Sequence, residues 1–277
     1  MPAASLAWQG RLEEAEQRLE HTERIPPVEL HLLPVGLQRM GTAFRYFRAA
    51  LEAAPISRAR AEGQLGYRVA GPHTAVVVWS TSATASAQLE AAAEAVVRAS
   101  GAPYRLTVIA GATSLWLWLP VSTAPHAGRL TADLAAHPDV RVAVGRPGTD
   151  VDGFRRSHLD ALATERILAR LTSPQQVARY QDVQLVALLT SDPAQADEFL
   201  ADTLGNLLHG DAHTREVVAT YVHEQCSATR TAQRLYTHRN TVLRRLARAD
   251  ELLPRPLAED VVGVAAALEV LRWRGGA

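Results

Sequence analysis

Between Ser227 and Ala249 the chain reads SATRTAQRLYTHRNTVLRRLARA. This stretch holds Arg230, Arg234, Arg239, Arg244, Arg245 and Arg248, and no carboxylate. A solvated helix face ordinarily mixes both signs, so a one-sign window is the footprint of a surface that meets a polyanion. His238, Asn240 and Thr241 are interleaved with the cations, adding side chains that form hydrogen bonds. A guanidinium can grip guanine O6 and N7 in bidentate fashion, and Asn can do the same with adenine. The chemistry on offer is recognition of duplex DNA.

Short helices must position these groups. Ser227 is a good N-cap for a helix holding Thr231, Ala232 and Leu235. Tyr236-Thr237 forms a turn, and Thr237 or His238 caps a second helix. On that helix Val242, Leu246, Ala249 and Leu253 fall within about 60° of one another and face a core. The opposite arc carries Asn240, Arg244, Arg248 and, near its edge, Thr241. Arg239 and Arg245 flank the core stripe, which suits phosphate contacts better than base reading. Small Ala232 lets the two helices cross closely. These are the spacings of a helix-turn-helix whose second helix enters a major groove. One such motif reads only a few base pairs, so a homodimer on paired half-sites is expected.

Thr231-Ala232-Gln233-Arg234-Leu235, followed by His238-Arg239-Asn240-Thr241-Val242 and Arg245-Leu246, resembles the C-terminal domain of PucR/CdaR-type transcriptional regulators. The recognition helix of that family opens with His-Arg-Asn-Thr. The likeness runs upstream through Leu204-Gly205-Asn206-Leu207 and Thr220-Tyr221-Val222, and downstream through Leu252-Leu253 into Leu257 to Trp273. Two positions depart from it. Arg244 stands where many relatives have Tyr or Asn, and Pro254 replaces a common glycine. The resemblance implies a transcription regulator with a double-stranded DNA operator and an effector, an unknown small molecule.

Upstream, strands and helices alternate. Thr74–Trp79 reads as a short apolar strand and Ala83–Ser100 as a helix with Leu89, Ala93, Val96 and Val97 on one face. Tyr104–Ala110 and Ser114–Leu119 read as a hairpin, Thr123–Ala136 as a helix, Val140–Val144 as a strand and Val151–Leu171 as a helix. The order β-α-β-β-α-β predicts a split βαβ unit, an antiparallel sheet with helices on one face. Gly66-Tyr67, His73 to Trp79, Gly145 and Phe154-Arg155-Arg156-Ser157-His158 resemble the GGDEF-like domain of the same family. In active diguanylate cyclases the hairpin turn carries two glycines and acidic residues. The corresponding turn here is Ala110-Gly111-Ala112-Thr113, and Ser80-Thr81-Ser82 follows the first strand. Two-metal phosphoryl chemistry needs carboxylates to hold Mg²⁺. A degenerate, noncatalytic domain is expected, with no cofactor and no metal.

Composition bounds the rest. The 277 residues make about two domains at roughly 150 residues each, and 47% apolar content is ordinary for a globular chain. The 29 basic and 29 acidic residues cancel, which conceals the local asymmetry at Ser227–Ala249. Every basic residue counted is Arg, and Lys is absent. Cys226 stands alone, so an intrachain disulfide is ruled out. The N-terminus lacks a signal pattern and no run approaches 18 apolar residues, so a cytoplasmic, soluble protein without membrane contact is expected. The fold class is α+β and multidomain. Residues 1–65 read as N-terminal helices, the tail of a sensory module. Residues 66–172 form the GGDEF-like domain, and 173–277 an all-α helix-turn-helix domain, with the boundary at Thr172-Ser173-Pro174. Beyond it Val177–Leu189, Pro193–His209 and Thr214–Cys226 read as helices. The N-terminal stripe Leu37, Met40, Phe44, Phe47, Leu51 needs a partner, another domain or a second chain.

Weaker patterns have plainer readings. His209, Asp211 and His213 could surround a metal, but a Gly-Asp turn between helices accounts for them. His223 and Cys226 are one helical turn apart, as thiolate activation would need, yet a lone Cys near a helix end is usually filler. Trp116 and Trp118 share one strand face, which favours packing beneath helices. Two rival functions stand beside the DNA reading. One is a nucleotide-binding or cyclase-like GGDEF relative; the other is an interaction module docking its basic helix on an acidic protein.

Overall fold

The computed structural model describes residues 62, 63, 65–82 and 86–275. The stripe Leu37, Met40, Phe44, Phe47, Leu51 and most of the segment 1–65 lie outside them. The apolar run expected as a strand is β1 (Pro72–Ser80), with α1 (Ser86–Ser100) after it. Then come β2 (Leu106–Gly111), β3 (Ser114–Leu119), α2 (Ala127–Leu134), β4 (Val140–Val144), β5 (Gly148–Thr149) and α3 (Asp150–Leu171). β1 is central, pairing Val77 with Trp116 of β3 on one side and with Ala143 of β4 on the other. β2 forms one edge beyond β3, and β5 pairs with the start of β1.

The sheet corrects the expectation of helices on one face. Val76, Val78, Leu117 and Val142 meet Leu89 and Val96 of α1 and Leu130 and Leu134 of α2. On the opposite face Ala75 and Trp118 meet Phe154, and Val77 and Ala143 meet Ala161, both from α3. A strand covered on both sides carries no alternation, which is why β1 is apolar throughout. The helix expected over Thr123–Ala136 is shorter, because the His126 ring caps it by accepting from Arg129 N at 3.3 Å.

A second correction concerns Val177–Leu189, expected as one helix. Val177–Arg179 is a strand, β6, and only Tyr180–Leu189 is helical, α4. β6 runs parallel to β4, pairing Val177 with Val142 and Arg179 with Val144, so the sheet is mixed rather than wholly antiparallel. Asp182 fixes the switch: its carboxylate accepts from Arg179 N at 3.4 Å and from Arg179 Nε at 2.9 Å. Those bonds occupy the donors of the helix start and leave the preceding residues to the sheet.

α3 lies against the sheet backbone to backbone. A Cβ on Gly145 would sit 1.8 Å from Ser157 O, so this position admits only glycine. Ser157 Oγ accepts from Ala75 N at 2.8 Å, and Trp118 Nε1 donates to Phe154 O at 3.2 Å. Trp118 also stacks on Phe154 with ring centroids 4.7 Å apart. The other end of α3 belongs to a second core, where Ile167 and Leu168 join the helical C-terminal region. That region comprises α5 (Pro193–Leu204), a 3-10 turn (Gly205–His209), α6 (Ala212–His223), α7 (Ala228–Arg234), α8 (Arg239–Leu252), another 3-10 turn (Leu257–Glu259) and α9 (Val261–Trp273). Arg146 clamps the join, donating from Nε to Asp160 Oδ2 at 2.7 Å with its guanidinium 4.6 Å from the Tyr180 ring centre. Among the described residues no helix is long and apolar enough to cross a membrane.

Candidate nucleic-acid interface

Three helices build the basic surface around a small core of Val217 from α6, Ala232 from α7 and Val242 from α8, with Leu235 and Leu246 against it. Ser227 caps α7, its Oγ accepting from Arg230 N at 3.4 Å. Thr231 Oγ1 donates back to Ser227 O at 2.9 Å. The turn leads to His238, which occupies the cap position of α8 in extended conformation without a side-chain capping bond. Val242 and Ala249 are fully buried, Leu253 is buried and Leu246 is half-buried. The inner stripe of α8 therefore anchors it.

Its outer arc is open. Arg239, Asn240, Arg244 and Arg248 are exposed and Thr241 is half-buried. The six arginines divide by what they touch. Arg230 is committed to the end of α6, donating to Glu224 O at 2.5 Å and to Gln225 Oε1 at 3.1 Å. Arg248 Nη1 meets Glu251 at 2.6 Å on the same helix. Arg245 Nη1 reaches Asp211 Oδ1 and Thr214 Oγ1, each at 3.4 Å. Among the described residues Arg234, Arg239 and Arg244 have neither an ion pair nor a hydrogen-bonded acceptor. Those three guanidiniums are available to an external anion.

Asp211 is a structural cap rather than a free ligand. Its carboxylate accepts from Thr214 N at 2.9 Å and Thr214 Oγ1 at 2.5 Å, closing the start of α6. The Thr214 bonds, with Arg245 nearby, hold its carboxyl below the usual range. Of its companions, His213 Nδ1 lies 3.0 Å from Glu216 Oε2. His223 Nδ1 donates to Ala219 O at 3.1 Å, and Cys226 is exposed. Sequence reasoning missed the bond between Asp211 and Arg245, because no local pattern links positions 34 apart.

The hairpin of the sheet domain is equally explicit. Gly111 pairs with Ser114, leaving Ala112 and Thr113 as the turn. Ser80 N donates to Thr113 O at 3.0 Å and Thr81 N to Asp139 O at 3.2 Å, so the end of β1 adjoins this turn. Ala112, Thr113, Ser80, Thr81 and Ser82 bring no carboxylate to that place. Trp116 and Trp118 lie against α3, with His158 4.6 Å and 4.8 Å from their ring centres.

Residues 50–167 match the GGDEF-like domain family, and residues 214–270 match the PucR C-terminal helix-turn-helix domain. Over 96 residues the chain is 34% identical to the purine catabolism regulatory protein of Bacillus subtilis (strain 168). That match takes in 33% of this chain and 18% of the relative's length. The crystal structure of a regulator of polyketide synthase expression from Bifidobacterium adolescentis aligns with a TM-score of 0.39 at 21% identity. The alignment covers 85% of this chain and 99% of that one.

Proposed function

We propose that this chain is a PucR-type regulator, a cytoplasmic transcription regulator binding a double-stranded DNA operator through α7 and α8, as the match of residues 214–270 to the PucR C-terminal helix-turn-helix domain supports. The observation that carries this reading is the outer arc of α8. Asn240 and Arg244 are exposed opposite the buried Val242 and Ala249, and Arg244 has no acceptor among the described residues. In a major groove Asn240, Thr241 and Arg244 read base edges, while Arg234, His238, Arg239 and Arg248 face the phosphates. Arg230 and Arg245 hold the motif together from Glu224 and Asp211. The chain acts as a homodimer, because one recognition helix specifies too few base pairs.

The GGDEF-like domain serves dimerisation or signal relay and does not turn over nucleotide, since its hairpin lacks the acids a metal ion needs. A small-molecule effector of unknown identity is part of this reading. The proposed organisation is an N-terminal segment over 1–65, the GGDEF-like domain over 66–172, whose sheet is completed by β6 from the following segment, and the DNA-binding domain over 173–277. The test is selection of duplexes from a random pool by the purified chain, followed by titration of the winner against a scrambled duplex at several salt concentrations. Enrichment of a paired-half-site sequence with a steep salt slope supports this reading. Binding to an acidic protein that nonspecific DNA does not displace would replace it with the interaction-module alternative.

A further inference from the structure

Tyr236 combines two properties that folding alone does not explain. It is 98% exposed, although an aromatic ring gains from burial. It also has φ +50, the left-handed region that disfavours a residue with a Cβ. The backbone around it shows why that conformation is forced. Thr237 N donates to Ala232 O at 2.9 Å and Tyr236 N to Gln233 O at 3.3 Å, the paired bonds that close α7. In this closure the penultimate position takes the left-handed form and is ordinarily glycine. Glycine there would make the same bonds without strain, and would expose no ring.

The position has a functional address. Tyr236 lies two residues beyond Arg234, whose guanidinium has no partner among the described residues, and two before His238, which opens α8. On the reading given above, this turn enters the groove's rim together with the first turn of α8. A phenol hydroxyl there donates to phosphate oxygen, and such contacts fix register without reading sequence. From its exposure, strain and position we infer that Tyr236 is a DNA-backbone contact, its hydroxyl donating to a phosphate at the edge of the major groove. This inference rests on the DNA-binding reading and adds a residue to it.

Three chains are compared on the selected duplex and on a scrambled one: wild type, Tyr236→Phe and Tyr236→Gly. Both variants are expected to lose about 5-fold in affinity on both duplexes, the worth of one hydrogen bond. The salt slope is expected to stay unchanged, because a phenol displaces no counterion, unlike an arginine. Tyr236→Gly is also expected to raise the melting temperature by about 3 °C through relief of the left-handed strain. That separates a binding loss from damage to the fold. Wild-type affinity in Tyr236→Phe would overturn the inference while leaving DNA binding intact. A change in solution mass with unchanged affinity would also overturn it, assigning the ring to a protein contact. If the folded wild-type chain bound no duplex, the reading itself would fall and this inference with it.

Discussion

Arg245 Nη1 lies 3.4 Å from Asp211 Oδ1, joining α8 to the capped start of α6 across 34 residues of sequence. Arg244, the next residue back, is exposed and has no acceptor among the described residues. Two adjacent arginines on one helix thus have separate work. One joins α8 to α6, and the other meets no partner among the described residues.

Stability should tell them apart. Arg245→Ala removes a partly buried brace and is expected to cost about 1 kcal/mol, the upper range for such a pair. In a domain of this size that lowers the melting temperature by at most roughly 4 °C. Arg244→Ala should leave it unchanged. Calorimetry on both variants checks this, and equal melting temperatures would remove the brace.

Gly145→Ala should be far more damaging. Its new methyl would lie 1.8 Å from Ser157 O, a backbone atom of α3 that cannot move without lifting the helix from β1. A loss of about 3 kcal/mol or more is expected, read as a lower denaturant midpoint.

Two titrations in α3, of buried His158 and half-buried Glu165, should pull stability in opposite directions with pH. Burial lowers the His158 imidazole to about 3, and burial raises the Glu165 carboxyl to about 7. For His158 the unfolded chain binds the extra proton between about 6.5 and about 3, so its contribution is complete above 6.5 and fades as pH falls. For Glu165 the folded chain holds the extra proton between about 4.5 and 7, so stability falls as pH rises through that window. The two slopes offset each other near pH 5 to 6. His158→Phe should expose the second slope, gaining about 2 kcal/mol relative to wild type between pH 7 and pH 5. Glu165→Gln should do the reverse. Denaturant midpoints at the two pH values decide it, and parallel profiles for all three chains would exclude both assignments.

Incubation of the purified chain with GTP and Mg²⁺ or Mn²⁺ should give no cyclic dinucleotide, because the Ala112-Thr113 turn and Ser80-Thr81-Ser82 carry no acid to hold a metal ion. Chromatography of the reaction checks this. Product that vanished on mutating the turn would restore a cyclase.

The parts legible in the sequence were those with local causes. The cap at Ser227 and the core stripe Val242, Ala249, Leu253 follow from one side chain's reach and from helical period, and the structure has both. β1 was legible as a strand but not as a central one, since its neighbours are set by long-range pairing with Trp116 and Ala143. β6 was missed for a related reason. Three residues give no period to read, and only Val142 and Val144 across the sheet make them a strand. The left-handed turn at Tyr236 hid because turn chemistry favours glycine there, and the sequence has tyrosine.

The most direct measurement of DNA recognition is base preference in Arg244→Ala. Wild type, Arg244→Ala and Arg245→Ala are titrated with the selected duplex, its single-base variants and a scrambled duplex at several salt concentrations. Arg244→Ala is expected to lose about 1–3 kcal/mol on the selected duplex and to lose discrimination at one base pair only. Arg245→Ala is expected to weaken all duplexes alike, in step with its lower stability. Equal weakening of selected and scrambled duplexes by Arg244→Ala, with discrimination intact at every position, would contradict the placement of the outer arc of α8 in a major groove.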